Sequence, residues 1–282
     1  MILYAVAGAL AVGISLGLFG SGGSILTVPI LVYLLHHPEK VAIGESLGIV
    51  GVIAMVGSLP YAFERLVNWR LAFLFGVPGM LGTAFGAFIS GSVPGSVQLL
   101  VFSLVMGGAA FAMWRRTRAL RVGAVENAQV SDDTNDEGPP SALLTLFYGA
   151  AVGVMTGFVG VGGGFLIVPA LVLLGRLQMR HAVATSLVII TMNAGVGFAR
   201  YSHDYEMIGA TPAWGTMLLF MIVGTLGSFA GRSLQGRLNQ RLLQRGFAVF
   251  LVVMSVFVLV KETGDLLDRG ATPPHSAIEG PS

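Results

Sequence analysis

GLFGSGGSILTVPIL, residues 17–31, sets three glycines and two serines in the middle of an oily run, and GFVGVGGGFLIVPAL does nearly the same at residues 157–171. Glycine costs a helix about 1 kcal/mol per residue relative to alanine. A doubled cluster of it inside an apolar segment marks a place where the helix is meant to break. The two copies lie 140 residues apart, and the offset carries more than glycine. Gly20, Gly22, Gly23, Val28, Pro29 and Leu31 fall on Gly160, Gly162, Gly163, Val168, Pro169 and Leu171. Ala42, Ser46, Leu47 and Gly57 fall on Ala182, Ser186, Leu187 and Gly197, and further on Gly82-Thr83 resembles Gly224-Thr225 with a two-residue slip. The chain is an internal duplication.

The composition places this duplication in a bilayer. Of 282 residues, 54% are hydrophobic and 11% charged, against roughly 25% charged in soluble domains. So few charges cannot cover a soluble protein of this size, so the chain is an integral membrane protein, its partner the lipid bilayer. The net charge of +2 carries no nucleic-acid signal, and the absence of cysteine excludes disulfides, thiolate metal sites and thiol chemistry. MILYAVAGALAVG lacks a charged n-region and runs straight into the first glycine cluster, which reads as mature sequence.

Apolar runs of membrane length predict an all-α fold of eight embedded segments: 3–35 (interrupted), 41–60, 71–90, 97–114, 142–174 (interrupted), 181–201, 211–231 and 243–261. Residues 1–114 and 142–261 form the two four-segment repeats, 115–141 a hydrophilic linker, and 262–282 a disordered tail. Residues 3–35 as one straight helix would be about 50 Å long against a core of about 30 Å. A break at the glycines turns the segment into a re-entrant hairpin, leaves each half with three crossings and inverts the second half. The basic residues favour this arrangement. Re-entrant hairpins put 12 on the linker side and 4 on the other, whereas eight full crossings give 9 against 7. The linker is then cytoplasmic and both termini lie outside.

Broken helices at membrane depth suit a transporter built of two repeats, with its site between them. Each break frees N–H groups at the start of the next half-helix, a partly positive nest suited to an anion. Pro29 and Pro169 then interrupt the helices that follow. Hydroxyls and an amide cluster nearby: Ser21, Ser24, Thr27 and Ser46 in the first half, Thr185, Ser186, Thr191 and Asn193 in the second. The expected binding set is Gly20, Ser21, Gly22, Gly23, Ser24, Thr27, Ser46, Gly160, Gly162, Gly163, Gly164, Thr185, Ser186 and Asn193. Scattered glycines such as Gly76, Gly86, Gly107 and Gly153 read instead as close helix contacts.

Glu45, in VAIGESLGIV, is an ionisable group at the start of a crossing, with Thr185 as its repeat mate. It is the candidate for coupling to a proton or sodium gradient; the competing reading is a carboxylate near enough to the interface to reach water. His36, His37 and His181 sit at loop–helix junctions, and Arg200, at a helix end, reads as a snorkelling side chain, with attraction of anions to a vestibule as the competing reading. GSGGSI and GVGGGF lack the third glycine of a dinucleotide fingerprint, and no catalytic triad, HExxH or paired carboxylates appear, so an enzyme is not expected and no cofactor or metal is implied. An anion channel using the breaks as a filter is the alternative to a carrier.

The two glycine motifs, together with RHAVATSLVIITMNAGVG at 180–197, resemble the TauE/SafE family of sulfite exporters. The second half matches the family pattern of glycine break, Val-Pro and Ala-x-x-Thr-Ser-Leu; the first departs from it with Ser21, Ser24 and Glu45. The resemblance implies an inner-membrane secondary transporter of sulfite, a sulfonate or a related sulfur-containing anion, working by alternating access. Small carriers of this kind often form homodimers, and no face of this sequence is marked for one.

Overall fold

The computed structural model describes residues 2–126, 142–159, 164–173, 175, 177–208 and 211–271. Its elements are helices: α1 (Ile2–Phe19), α2 (Gly22–Pro29) continued by a π-helical turn Ile30–Leu34, α3 (Glu39–Phe63), α4 (Trp69–Ser90) and α5 (Gly95–Glu126). The second half follows with α6 (Ala142–Val159), α7 (Gly164–Leu173), α8 (Met179–Ile208), α9 (Trp214–Gln235) and α10 (Gln240–Ala271). Among the described residues, eight of these are long and apolar enough to cross a membrane: all but α2 and α7. Their outward faces carry Leu81, Phe85, Phe111, Leu226 and Val253, an apolar surface suited to lipid.

Local chemistry sets the boundaries. Gly20, at φ +71°, ends α1 in a conformation that side chains resist. Pro29 has no N–H to give to the Ile25 carbonyl, and the helix widens into the π turn directly after it. Asn68 caps α4, its side chain accepting the Leu71 N–H at 3.1 Å. α5 runs on through the arginines of WRRTRALR as far as Glu126.

Glycine contacts fix how the helices run. Gly13 and Gly17 of α1 lie against the backbone of Gly224 and Ser228 of α9, so these two helices run the same way. Their counterparts Gly153 and Gly157 of α6 lie against Gly79 and Thr83 of α4 in the same manner. α3 runs with α9, Gly57 facing Ser228 and Tyr61 bonding Gln235. α3 and α8 run oppositely, with Gly44, Gly48 and Gly51 facing Tyr205, Phe198 and Ala194. The mates α3 and α8 therefore point in opposite directions. Because α1 and α3 point the same way, the chain between them must return.

These contacts correct the late register of the repeat. Gly79, Gly82, Thr83 and Gly86 correspond to Gly224, Gly227, Ser228 and Gly231, an offset of 145 rather than the 142 suggested by matching Gly82-Thr83 to Gly224-Thr225. The physical reason is α8, which at 30 residues is five longer than the 25-residue α3.

Candidate functional site

The candidate site lies where α1 ends and α2 begins. The N-cap of α2 is Ser21, whose side chain makes no capping bond, and Ser21, Gly22 and Gly23 are all buried. The first N–H groups of a helix have no partner inside it. Here the first turn, at Gly22 and Gly23, lies buried in the protein interior. A Cβ on Gly22 would displace the Ser15 hydroxyl of α1, whose side chain would have to turn away. Gly23 presses on Leu16 and the Val12 carbonyl. The bare backbone of Gly23 is what lets α2 pack this closely on α1.

The start of α7 comes to meet the first break. A Cβ on Gly164 would lie 3.0 Å from Ser21 Cα and 2.7 Å from Ile190 Cδ1. Ser186 of α8 donates to the Gly20 carbonyl at 3.0 Å and also approaches its own-helix Val183 carbonyl at 2.9 Å. Ser186, Ile190 and Asn193 share one face of α8 at spacings of four and three residues. That face touches Gly20, Gly164 and Gly79 in turn. Asn193 is fully buried, and neither its amide nitrogen nor its oxygen has a hydrogen-bond partner. Buried polar groups are nearly always paired, so this amide is poised for a partner. Gly160, Gly162 and Gly163 lie outside the described residues.

The remaining hydroxyls are occupied by backbone. Thr27 donates to the Gly23 carbonyl at 2.7 Å, Ser46 to Ile43 at 2.8 Å and Thr191 to Leu187 at 2.8 Å. Ser15 is a residue that sequence reasoning missed. Its hydroxyl is buried against Gly22 with no partner. The only signal for it is its position seven residues, two helical turns, before the break.

Glu45 is fully buried and doubly held: His37 Nδ1 lies 2.6 Å from Oε2, and the Ala213 N–H donates to Oε1 at 2.7 Å. Its mate Thr185 does the same work, its Oγ1 accepting the Asn68 N–H at 3.0 Å. Asn68 and Ala213 are the N-cap residues of α4 and α9. Each half thus pins the first N–H of a late helix to a side chain of α3 or α8, one with a carboxylate and one with a hydroxyl. His181 Nδ1 lies 2.9 Å from the Leu66 carbonyl, and Arg200 lies over Phe88 at 6.0 Å.

Known proteins resemble the chain along nearly its whole length. A probable membrane transporter protein of Xylella fastidiosa (strain Temecula1) is 31% identical over 91% of this chain and 94% of its own. YunE, a probable membrane transporter protein of Bacillus subtilis, is 26% identical over 86% and 89%, and one from Haemophilus influenzae 27% over 93% and 98%. No solved structure matches. The family model for the sulfite exporter TauE/SafE spans residues 5–258, and with it both glycine motifs: the chain belongs to the TauE/SafE family.

Proposed function

We propose that this chain is a secondary transporter of a small sulfur-containing anion, sulfite or a sulfonate, moved by alternating access between two inverted halves. The observation that carries this reading is the buried, uncapped start of α2 at Ser21–Gly23, with Gly164 of the other half packed against it. The first N–H groups of α2, which have no partner inside the helix, supply a positive pole without a fixed charge, which suits an oxyanion that must bind and leave. Ser15, and Asn193 from the second half, are the polar side chains this reading assigns to the anion, alongside Gly20, Gly22 and the 160–164 break. The opposed directions of the mates α3 and α8 support inversion. The arginines gathered where α3 and α9 end and α4 and α8 begin support a cytoplasmic linker in the inner membrane. Glu45 is the coupling residue of this scheme: protonation would weaken its hold on Ala213 and so loosen α9 from α3.

Counterflow of labelled sulfite in proteoliposomes, with sulfate, sulfoacetate and thiosulfate as competitors, tests the reading. Saturable exchange abolished by Gly22→Leu/Gly162→Leu is the expected result. Folded wild-type protein without exchange would remove the sulfite assignment, and unsaturable flux would point to a channel.

A further inference from the structure

A second cavity lies outside the breaks. It has a volume of about 260 Å³ and is lined by Arg180, Phe229, Arg232, Ser233, Gln235 and Gly236, at the end of the bundle where α9 stops and α8 begins. Glu64, the residue that follows α3, reaches both guanidinium groups: Oε1 pairs with Arg232, and Oε2 lies 3.6 Å from Arg180 Nη2. Two cations face one carboxylate, so the cavity keeps a surplus positive charge. Arg232 is also held over the Tyr61 ring at 4.7 Å, which fixes its fork in place.

The floor of this cavity is joined to the first break. Gln235 is buried, accepts from the Tyr61 hydroxyl at 2.8 Å, and donates through Nε2 to the Leu18 carbonyl at 3.0 Å. Leu18 stands two residues before Gly20. A group held between the arginines is therefore separated from the α1–α2 break by one glutamine and one turn of backbone.

We propose that Arg180 and Arg232 form an entry site for a sulfonate or sulfite oxyanion, and that Glu64 occupies it as an internal competitor until the anion displaces it. The proposal rests on the transporter reading above for its purpose, not for its geometry. Guanidinium forks bind carboxylates and sulfur oxyanions through the same paired N–H groups. Glu64 is 47% exposed, so it can swing into water at little cost, since exposed ion pairs contribute little. Its two partners belong to the second half while Glu64 belongs to the first. Anion arrival would thus exchange a bond between the halves for a bond to substrate, releasing that contact as the site fills.

The test uses full-length protein in phosphatidylcholine nanodiscs and the arginine reagent phenylglyoxal, with modification of Arg180 and Arg232 followed by peptide mass spectrometry. Methanesulfonate is the probe, because sulfite would react with the reagent. It is expected to slow both modifications about threefold at saturation, and Glu64→Gln should reach half-protection at an about threefold lower concentration. No protection in either protein, or identical half-protection in both, overturns the proposal. Nanodiscs containing phosphatidylglycerol form a second arm: full protection there without methanesulfonate assigns the arginines to lipid headgroups and likewise overturns it. Parallel sulfite counterflow separates the two readings. Protection without counterflow sinks the transporter and leaves the cavity standing; counterflow without protection does the reverse.

Discussion

Tyr61 and Tyr201, 140 residues apart, occupy equivalent places in the two halves. The Tyr61 hydroxyl lies 2.8 Å from Gln235 Oε1 and 3.4 Å from the Gly17 carbonyl. The Tyr201 hydroxyl lies 2.8 Å from Ser90 Oγ and 3.3 Å from the Gly157 carbonyl. Each ties the end of one repeat's central helix to the other repeat. Tyr61→Phe and Tyr201→Phe should each cost about 1–2 kcal/mol by stranding a buried polar partner. The double variant should lose about the sum, because the two sites share no contact. Thermal unfolding in detergent checks both figures.

The glycine seams should tolerate no side chain. At Gly13 and Gly157 an added Cβ would fall within van der Waals distance of the backbone oxygens of Gly224 and Thr83, atoms that cannot rotate away. Gly13→Ala and Gly157→Ala should each destabilise by about 3 kcal/mol or more, beyond ordinary overpacking. Gly108 and Gly195 have nothing within reach of a Cβ, and alanine there should be neutral or mildly stabilising. The fraction of monodisperse protein after extraction reads the difference.

Gly20 combines a positive φ with a Cβ position 2.8 Å from Val183 Cα. Gly20→Ala should cost about 1–2 kcal/mol for the backbone alone, with the clash in addition. Counterflow should fall more than thermal stability does, because the change moves Ser21 and the start of α2. Equal losses in both would mark Gly20 as purely structural.

Glu45 can be tested against its own mate. Glu45→Thr copies what the second half does at Thr185, keeping an oxygen acceptor while deleting the titratable group. The variant should fold and exchange sulfite in counterflow, yet fail to accumulate it under an imposed pH gradient. Undiminished proton-driven accumulation would remove Glu45 from coupling.

Much of the bundle was legible because a duplicated sequence reports on itself. Broken, apolar, glycine-marked segments show at the scale of single residues, and the 140 offset held from Gly20 to Tyr201. It failed past α8, where five added residues shifted the register and a chance Gly-Thr match offered the wrong answer. Around the first break, the close packing of Gly20, Gly23 and Gly164 follows from the glycine pattern, while the partners of the hydroxyls do not show in it. A serine in a membrane helix can spend its proton on its own backbone, as Ser46 does, or across the repeat, as Ser186 does; only packing decides. The same limit hid Ala213 and His37 from any reading of Glu45, and the Arg180–Glu64–Arg232 cluster, whose members are 52 to 168 residues apart.

The pairing of α1 with α9 also sets a timetable for biosynthesis. The glycine face of α1 leaves the ribosome about 200 residues before its seat on α9 is made. At 5–20 residues per second that is a wait of roughly 10–40 s. During it, α1 must stay in the membrane without its partner, exposing a groove of bare backbone to lipid and to other nascent helices. A chain cut after the first repeat would never leave that condition, and quality-control proteases should treat it as unfinished.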